Sequence, residues 1–104
     1  KRPIANAVWR HDETLEEGHY SRSYQDRWRE LNFDWGNNPE AAASIALRWT
    51  LGHGVSTAIV GTKNPSRWTQ NAALLEAGPL DAALFESIGA RWREVGGEKW
   101  TGKS

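Results

Sequence analysis

The chain has 104 residues, enough for one small domain, and its 13 Lys plus Arg are balanced by 13 Asp plus Glu, so its formal charge is zero. Neutrality argues against a general binder of nucleic acid or of anionic membranes, which would carry a basic excess. The absence of cysteine excludes a disulfide framework and a thiolate metal site, and no apolar run approaches the ~20 residues that span a bilayer. With no signal-peptide pattern at the start of the sequence, a cytoplasmic protein is expected. Seven tryptophans, Trp9, Trp28, Trp35, Trp49, Trp68, Trp92 and Trp100, read as core packing because the indole carries a large apolar area. A stacking platform for a sugar or a base is the alternative.

Residues 1–6, KRPIAN, read as the end of a strand whose hydrophobic first half is missing, with Pro3 ending the pairing. Residues 7–9 pack down after it. Residues 10–23 are polar and of mixed charge. They read as a loop with one helical turn near 14–17, and a loop of this length is a candidate substrate or cofactor loop. In 24–31, YQDRWREL, the residues Tyr24, Trp28 and Leu31 fall at i, i+4 and i+7 and give a helix one buried face. A loop at 32–38 contains Phe33 and Trp35. Asn38-Pro39-Glu40 is then a helix start, because Asn caps an orphaned N–H and Pro has its φ set for the first helical position. That helix runs to about Leu51 with a stripe of Ala42, Ile45, Ala46 and Trp49, and Gly52 and Gly54 end it.

The stretch 55–71, VSTAIVGTKNPSRWTQN, is the organising element. Its short β-branched run at 57–60 reads as a buried parallel strand. Gly61 and Thr62 break it, and Asn64-Pro65 repeats the helix-start signal. A helix would thus begin at the C-terminal end of a strand, where parallel α/β folds hold phosphates. Arg67, Gln70 and Asn71 are spaced i, i+3 and i, i+4 and project from one side of that helix. A guanidinium beside two amides suits a phosphorylated purine nucleotide, with Arg on the phosphate and the amides on the base. The alternative is a solvated polar edge opposite an apolar stripe of Trp68, Ala72 and Leu75.

Gly78-Pro79 is a stop signal. Asp81 caps the last helix, with a Leu80 to Phe85 staple and apolar positions Leu84, Phe85, Ile88, Trp92 and Val95. Gly96-Gly97 ends it, and 97–104 is expected to be a mobile tail on a chain otherwise forming one unit, 1–104. His11, His19 and His53 lack ligand spacing, so no metal site is assigned. Adjacent carboxylates at 12–13 and 16–17 do not converge as an acid/base pair, and neither a nucleophile elbow nor a glycine-rich phosphate loop is present. No catalytic residue is nominated.

The run ALRWTLGHGVSTAIVGTKNPSRWTQN closely resembles the C-terminal part of the aldo-keto reductases, and the likeness covers most of the chain. It implies an α/β fold: a C-terminal fragment of a (β/α)8 TIM barrel, mostly helical in isolation, with two short parallel strands. In this alignment 1–9 would be the end of the seventh strand and its turn, 39–51 the seventh helix, 57–60 the eighth strand, 65–75 the eighth helix and 81–95 the closing helix. The family binds NADP(H) after its eighth strand with a segment commonly running Lys-Ser, then Arg, then Glu or Gln followed by Asn. The resemblance implies that Thr62 and Arg67 hold the adenosine 2′-phosphate and that Gln70 and Asn71 hold the adenine, with Lys63 and Asn64 beside them. Arg2 and Ile4, with Asn6, would occupy a turn that touches the pyrophosphate. Gly61 stands where the family has Lys, which removes a charge from the phosphate site; Lys63 is placed to compensate.

The family's catalytic Tyr, Lys, Asp and His lie on earlier strands, and no counterpart is assigned here; Tyr20 and Tyr24 follow the seventh strand. The expectation is therefore the cofactor-binding segment of an NADP-dependent oxidoreductase acting on a small aldehyde or ketone, inactive by itself. The alternative is a non-catalytic, self-associating helical scaffold or nucleotide-sensing module. In either case exposed strand edges and apolar helix faces predict self-association.

Overall fold

Helix starts and stops written into the sequence account for most of the observed elements. The computed structural model describes residue 4 and residues 7–102. Four α-helices follow in order: α1 Arg22–Leu31, α2 Pro39–Leu51, α3 Ser66–Glu76 and α4 Ala82–Val95. Short 3-10 turns stand at Val8–Arg10, Asp34–Asn37 and Gly97–Lys99. The Asn38 side chain accepts from the backbone N–H groups of Glu40 and Ala41, at 3.1 and 3.3 Å, with Pro39 opening α2. Asp81 does the same for α4, accepting from Ala83 and Leu84. Asn32 ends α1 in the left-handed conformation at φ 48°, which Asn tolerates better than most residues, and its N–H donates to the Trp28 carbonyl.

The core lies between α1, α2 and α4. Tyr24, Trp28 and Leu31 of α1 are buried, as are Ala42, Ala46 and Trp49 of α2, and Ile88 of α4 is fully buried. Leu84, Phe85, Trp92 and Val95 pack around it, so the 3.6-residue apolar pattern of the last helix faces inward throughout. Two polar clamps fasten the helices at their ends. Arg91 on α4 donates through Nε to the Leu31 carbonyl at 2.9 Å, and Arg48 on α2 donates to the carbonyls of Gly78 and Pro79, each at 2.9 Å. Gly52 lets the Phe85 ring close over the end of α2: a Cβ there would lie 2.6 Å from the ring.

Aromatic side chains fill the other side of α1. Trp28 touches Trp9, Phe33 and Trp35 with ring centroids 5.4–5.7 Å apart, while Phe33 and Trp35 stack at 4.7 Å. Beyond α4, Trp100 lies over Gly96, where a Cβ would collide with the indole, and the Arg27 guanidinium sits 5.5 Å from the Trp100 ring while donating to the Thr101 carbonyl. With a radius of gyration of 13.7 Å the described chain is as compact as a domain of this length.

The expected α/β architecture is not what forms. Among the described residues there is no strand, and neither of the two short parallel strands is present. Residues 55–62 run as irregular chain at the surface, with Ile59 99% exposed and Val55 and Val60 also exposed. The β preference of a Thr-Ala-Ile-Val run is a preference for a pleated, covered surface with a partner strand; with no second strand among the described residues, the run has no ladder to join there. Of the other expected strand, at 1–6, Ile4 is helical and buried in the core, and the remaining residues lie outside those described. A fragment of a (β/α)8 barrel with its sheet is therefore replaced by a helical assembly.

Ile88 has no exposed surface and stands where α4 meets α1, so Ile88→Ala is expected to lower unfolding free energy by about 2–5 kcal/mol. Urea denaturation followed by tryptophan fluorescence reads this directly; an unchanged midpoint would contradict the placement of this core.

Candidate functional site

The chain enters α3 through a turn made by its own side chains. The Asn64 N–H donates to the Thr62 hydroxyl at 3.1 Å, and that hydroxyl donates back to the Asn64 carbonyl at 3.4 Å. Asn64 Oδ1 accepts from the Ser66 N–H at 3.1 Å and from the Ser66 hydroxyl at 2.8 Å. Pro65 already has helical angles, φ −57° and ψ −31°. Asn64 thus supplies the acceptor that an orphaned helix N–H needs, as the Asn-Pro pair implies. The helix start does not stand at the end of a strand, because the preceding segment is irregular.

Unlike its neighbours, α3 buries no residue. It lies against α2, and its inward side carries Arg67 and Asn71 together with Leu74. Arg67, Asn71 and Leu74 are half-buried, while Trp68 is 66% exposed and Leu75 63%. The expected stripe of Trp68, Ala72 and Leu75 points to solvent. The polar edge that would have been solvated instead forms one wall of a groove. Residues Arg67, Gln70 and Asn71 stand on this wall, and Glu40 and Ser44 of α2 face them across about 320 Å³ of open space. That size is at the lower end for a small-molecule site. The side chains of Glu40, Arg67, Gln70 and Asn71 make no hydrogen bond or ion pair among the described residues, so their donors and acceptors are available.

The remaining sequence-derived residues are placed differently. Thr62 and Asn64 spend their side chains on the turn, and Lys63 is exposed on the same loop. Ile4 is buried in the core and offers no surface to a ligand. Arg2 lies outside the described residues. Glu40 and Ser44 escaped the sequence reading, because nothing local in 38–44 says which helix α2 will meet.

The polar loop between the Val8–Arg10 turn and α1 is held down rather than loose. The buried Gln25 amide accepts from the Leu15 N–H and donates to the Glu13 carbonyl, each at 2.9 Å. Arg22 donates to the Leu15 carbonyl at 2.6 Å and pairs with Asp26, and Arg29 donates to the Thr14 hydroxyl. The His11 and His19 rings meet edge-on, with centroids 6.4 Å apart. Among the described residues no three His, Asp or Glu side chains come together as a metal site, and no helix is long and apolar enough to cross a membrane.

No family model matches the chain, and no solved structure matches it. Two curated relatives do: aflatoxin B1 aldehyde reductase member 2 of Rattus norvegicus and its counterpart of the same name in Mus musculus. Each is 28% identical over 98 aligned residues, covering 76% of this chain and 27% of the relative. The chain spans about a quarter of the length of these relatives. This distant relationship lends weak support to the aldo-keto reductase resemblance.

Asn64→Ala removes the acceptor for the Ser66 N–H and should cost about 1 kcal/mol of local stability. Hydrogen exchange at the Ser66, Arg67 and Trp68 amides should quicken accordingly. Unaltered protection there would mean that α3 does not depend on this cap.

Proposed function

We propose that the α2–α3 groove holds the adenosine-phosphate end of a nicotinamide dinucleotide, the NADP(H) that the resemblance implies. On this reading the chain is the cofactor-holding portion of an oxidoreductase acting on a small aldehyde or ketone. The observation that carries it is the convergence of Arg67, Gln70 and Asn71 on one groove, with their side chains uncommitted among the described residues. A guanidinium suits a phosphate, and two amides suit the mixed donor and acceptor edge of adenine. The dinucleotide, when bound, supplies the hydride. This chain's own residues bind and orient its adenosine end, and no catalytic residue is assigned to them. The distant relationship to aldehyde reductases supports the reaction class.

Titration of the chain with NADPH, read by quenching of tryptophan emission, should saturate. Arg67→Ala should weaken that binding at least tenfold, because it removes the one cation that lines the groove among the described residues. Equal binding by both proteins would sink the assignment.

A second reading, a self-associating helical module, is favoured by the outward face of α3, where Trp68 and Leu75 lie exposed with Ile59 on the preceding segment. Sedimentation should then give a mass above one chain, reduced to one chain by Trp68→Glu. A wild-type protein that sediments as a monomer at all concentrations contradicts this reading and leaves the groove assignment untouched.

A further inference from the structure

We infer that Glu40 sets the cofactor preference of the groove, so that it accepts an adenosine ribose without a 2′-phosphate about as readily as one that carries it. This rests on the dinucleotide reading proposed above.

Glu40 is fastened through its backbone, whose N–H donates to Asn38 Oδ1, so the carboxylate extends from a capped first helical turn. It stands on the α2 wall opposite Arg67, Gln70 and Asn71. Its carboxylate forms no ion pair with Arg67 and has no hydrogen-bond partner among the described residues. An ionised carboxylate can only accept hydrogen bonds. A ribose diol offers it two hydroxyl donors, the recognition by which an acidic residue selects unphosphorylated adenosine in dinucleotide sites. A 2′-phosphate offers only acceptors and about two negative charges, and like charges in one groove repel.

The charge count of the walls leads to the same result. Glu40 contributes −1 and Arg67 +1, and Ser44, Gln70 and Asn71 contribute none. Gly61 adds nothing where the resemblance would have a lysine, and Lys63, exposed on the loop, does not line the groove. Among the described residues the walls are therefore neutral in sum. Arg67 favours the phosphate while Glu40 opposes it, and the two effects largely cancel. Gln70 and Asn71 still recognise the base, which both cofactors share.

The test is a paired titration with NADPH and NADH, read by tryptophan quenching on wild type, Glu40→Gln and Arg67→Ala. Glu40→Gln keeps the Asn38 cap and the side-chain length, and circular dichroism checks that helix content is retained. Wild type should bind the two cofactors within about threefold of each other. Glu40→Gln should shift the preference toward NADPH by at least about fivefold, through tighter NADPH binding, weaker NADH binding or both. Arg67→Ala should shift it the opposite way. A wild-type preference for NADPH beyond tenfold overturns the inference, as does an unchanged ratio in Glu40→Gln while Arg67→Ala still loses NADPH. If wild type binds neither cofactor, the dinucleotide reading fails and this inference with it.

Discussion

The contact between α1 and α4 is the constraint on which the rest of the structure depends. Leu31 and Ile88 have no exposed surface, and Arg91 crosses from α4 to the carbonyl that ends α1. Each fully buried aliphatic side chain contributes roughly 1.5–3 kcal/mol. These two residues therefore matter greatly in a chain with few buried positions. Once α1 and α4 are joined, Trp28 and the rings of Trp9, Phe33 and Trp35 close one side, and Trp49 with Phe85 closes the other. A helical core takes the place of a sheet because it satisfies its backbone hydrogen bonds locally, whereas a lone strand cannot.

This arrangement leaves α3 outside. It touches α2 but buries none of its residues, and its apolar stripe faces away from the core. The consequence for function is direct. A helix docked by its apolar side would have put Arg67, Gln70 and Asn71 in open solvent. Docked by the side that carries Arg67, Asn71 and Leu74, it sets them beside Glu40 and Ser44 along an open groove. The same orientation that builds the candidate site exposes Trp68 and Leu75. The groove and the unpartnered face are two results of one packing choice.

Much of the helical layout was legible in local sequence. Asn38 and Asp81 act through backbone groups two and three residues away, so their effect does not depend on the remainder of the chain. The spacing of Tyr24, Trp28 and Leu31, and that of Leu84, Ile88, Trp92 and Val95, found the inward faces of α1 and α4 for the same reason. The 57–60 run misled because strand formation depends on a partner that local sequence does not contain. Gln25 carries no local signal, yet it is buried and anchors the loop at 13–15 through two backbone bonds. Nothing in YQDRWREL distinguishes it from the exposed polar positions beside it.

The sequence by itself determined the number of well-marked helices, their caps, and the clustering of Arg67, Gln70 and Asn71 on one edge of α3. These follow from hydrogen bonds and side-chain periodicity within a few residues. Only the tertiary structure decided that 55–62 stays unpaired, that α3 turns the side carrying Arg67, Asn71 and Leu74 to α2, and that Glu40 stands in the groove. Those outcomes depend on which surfaces compete for the core. In that competition the wide apolar faces of α1, α2 and α4 exclude the narrower one of α3.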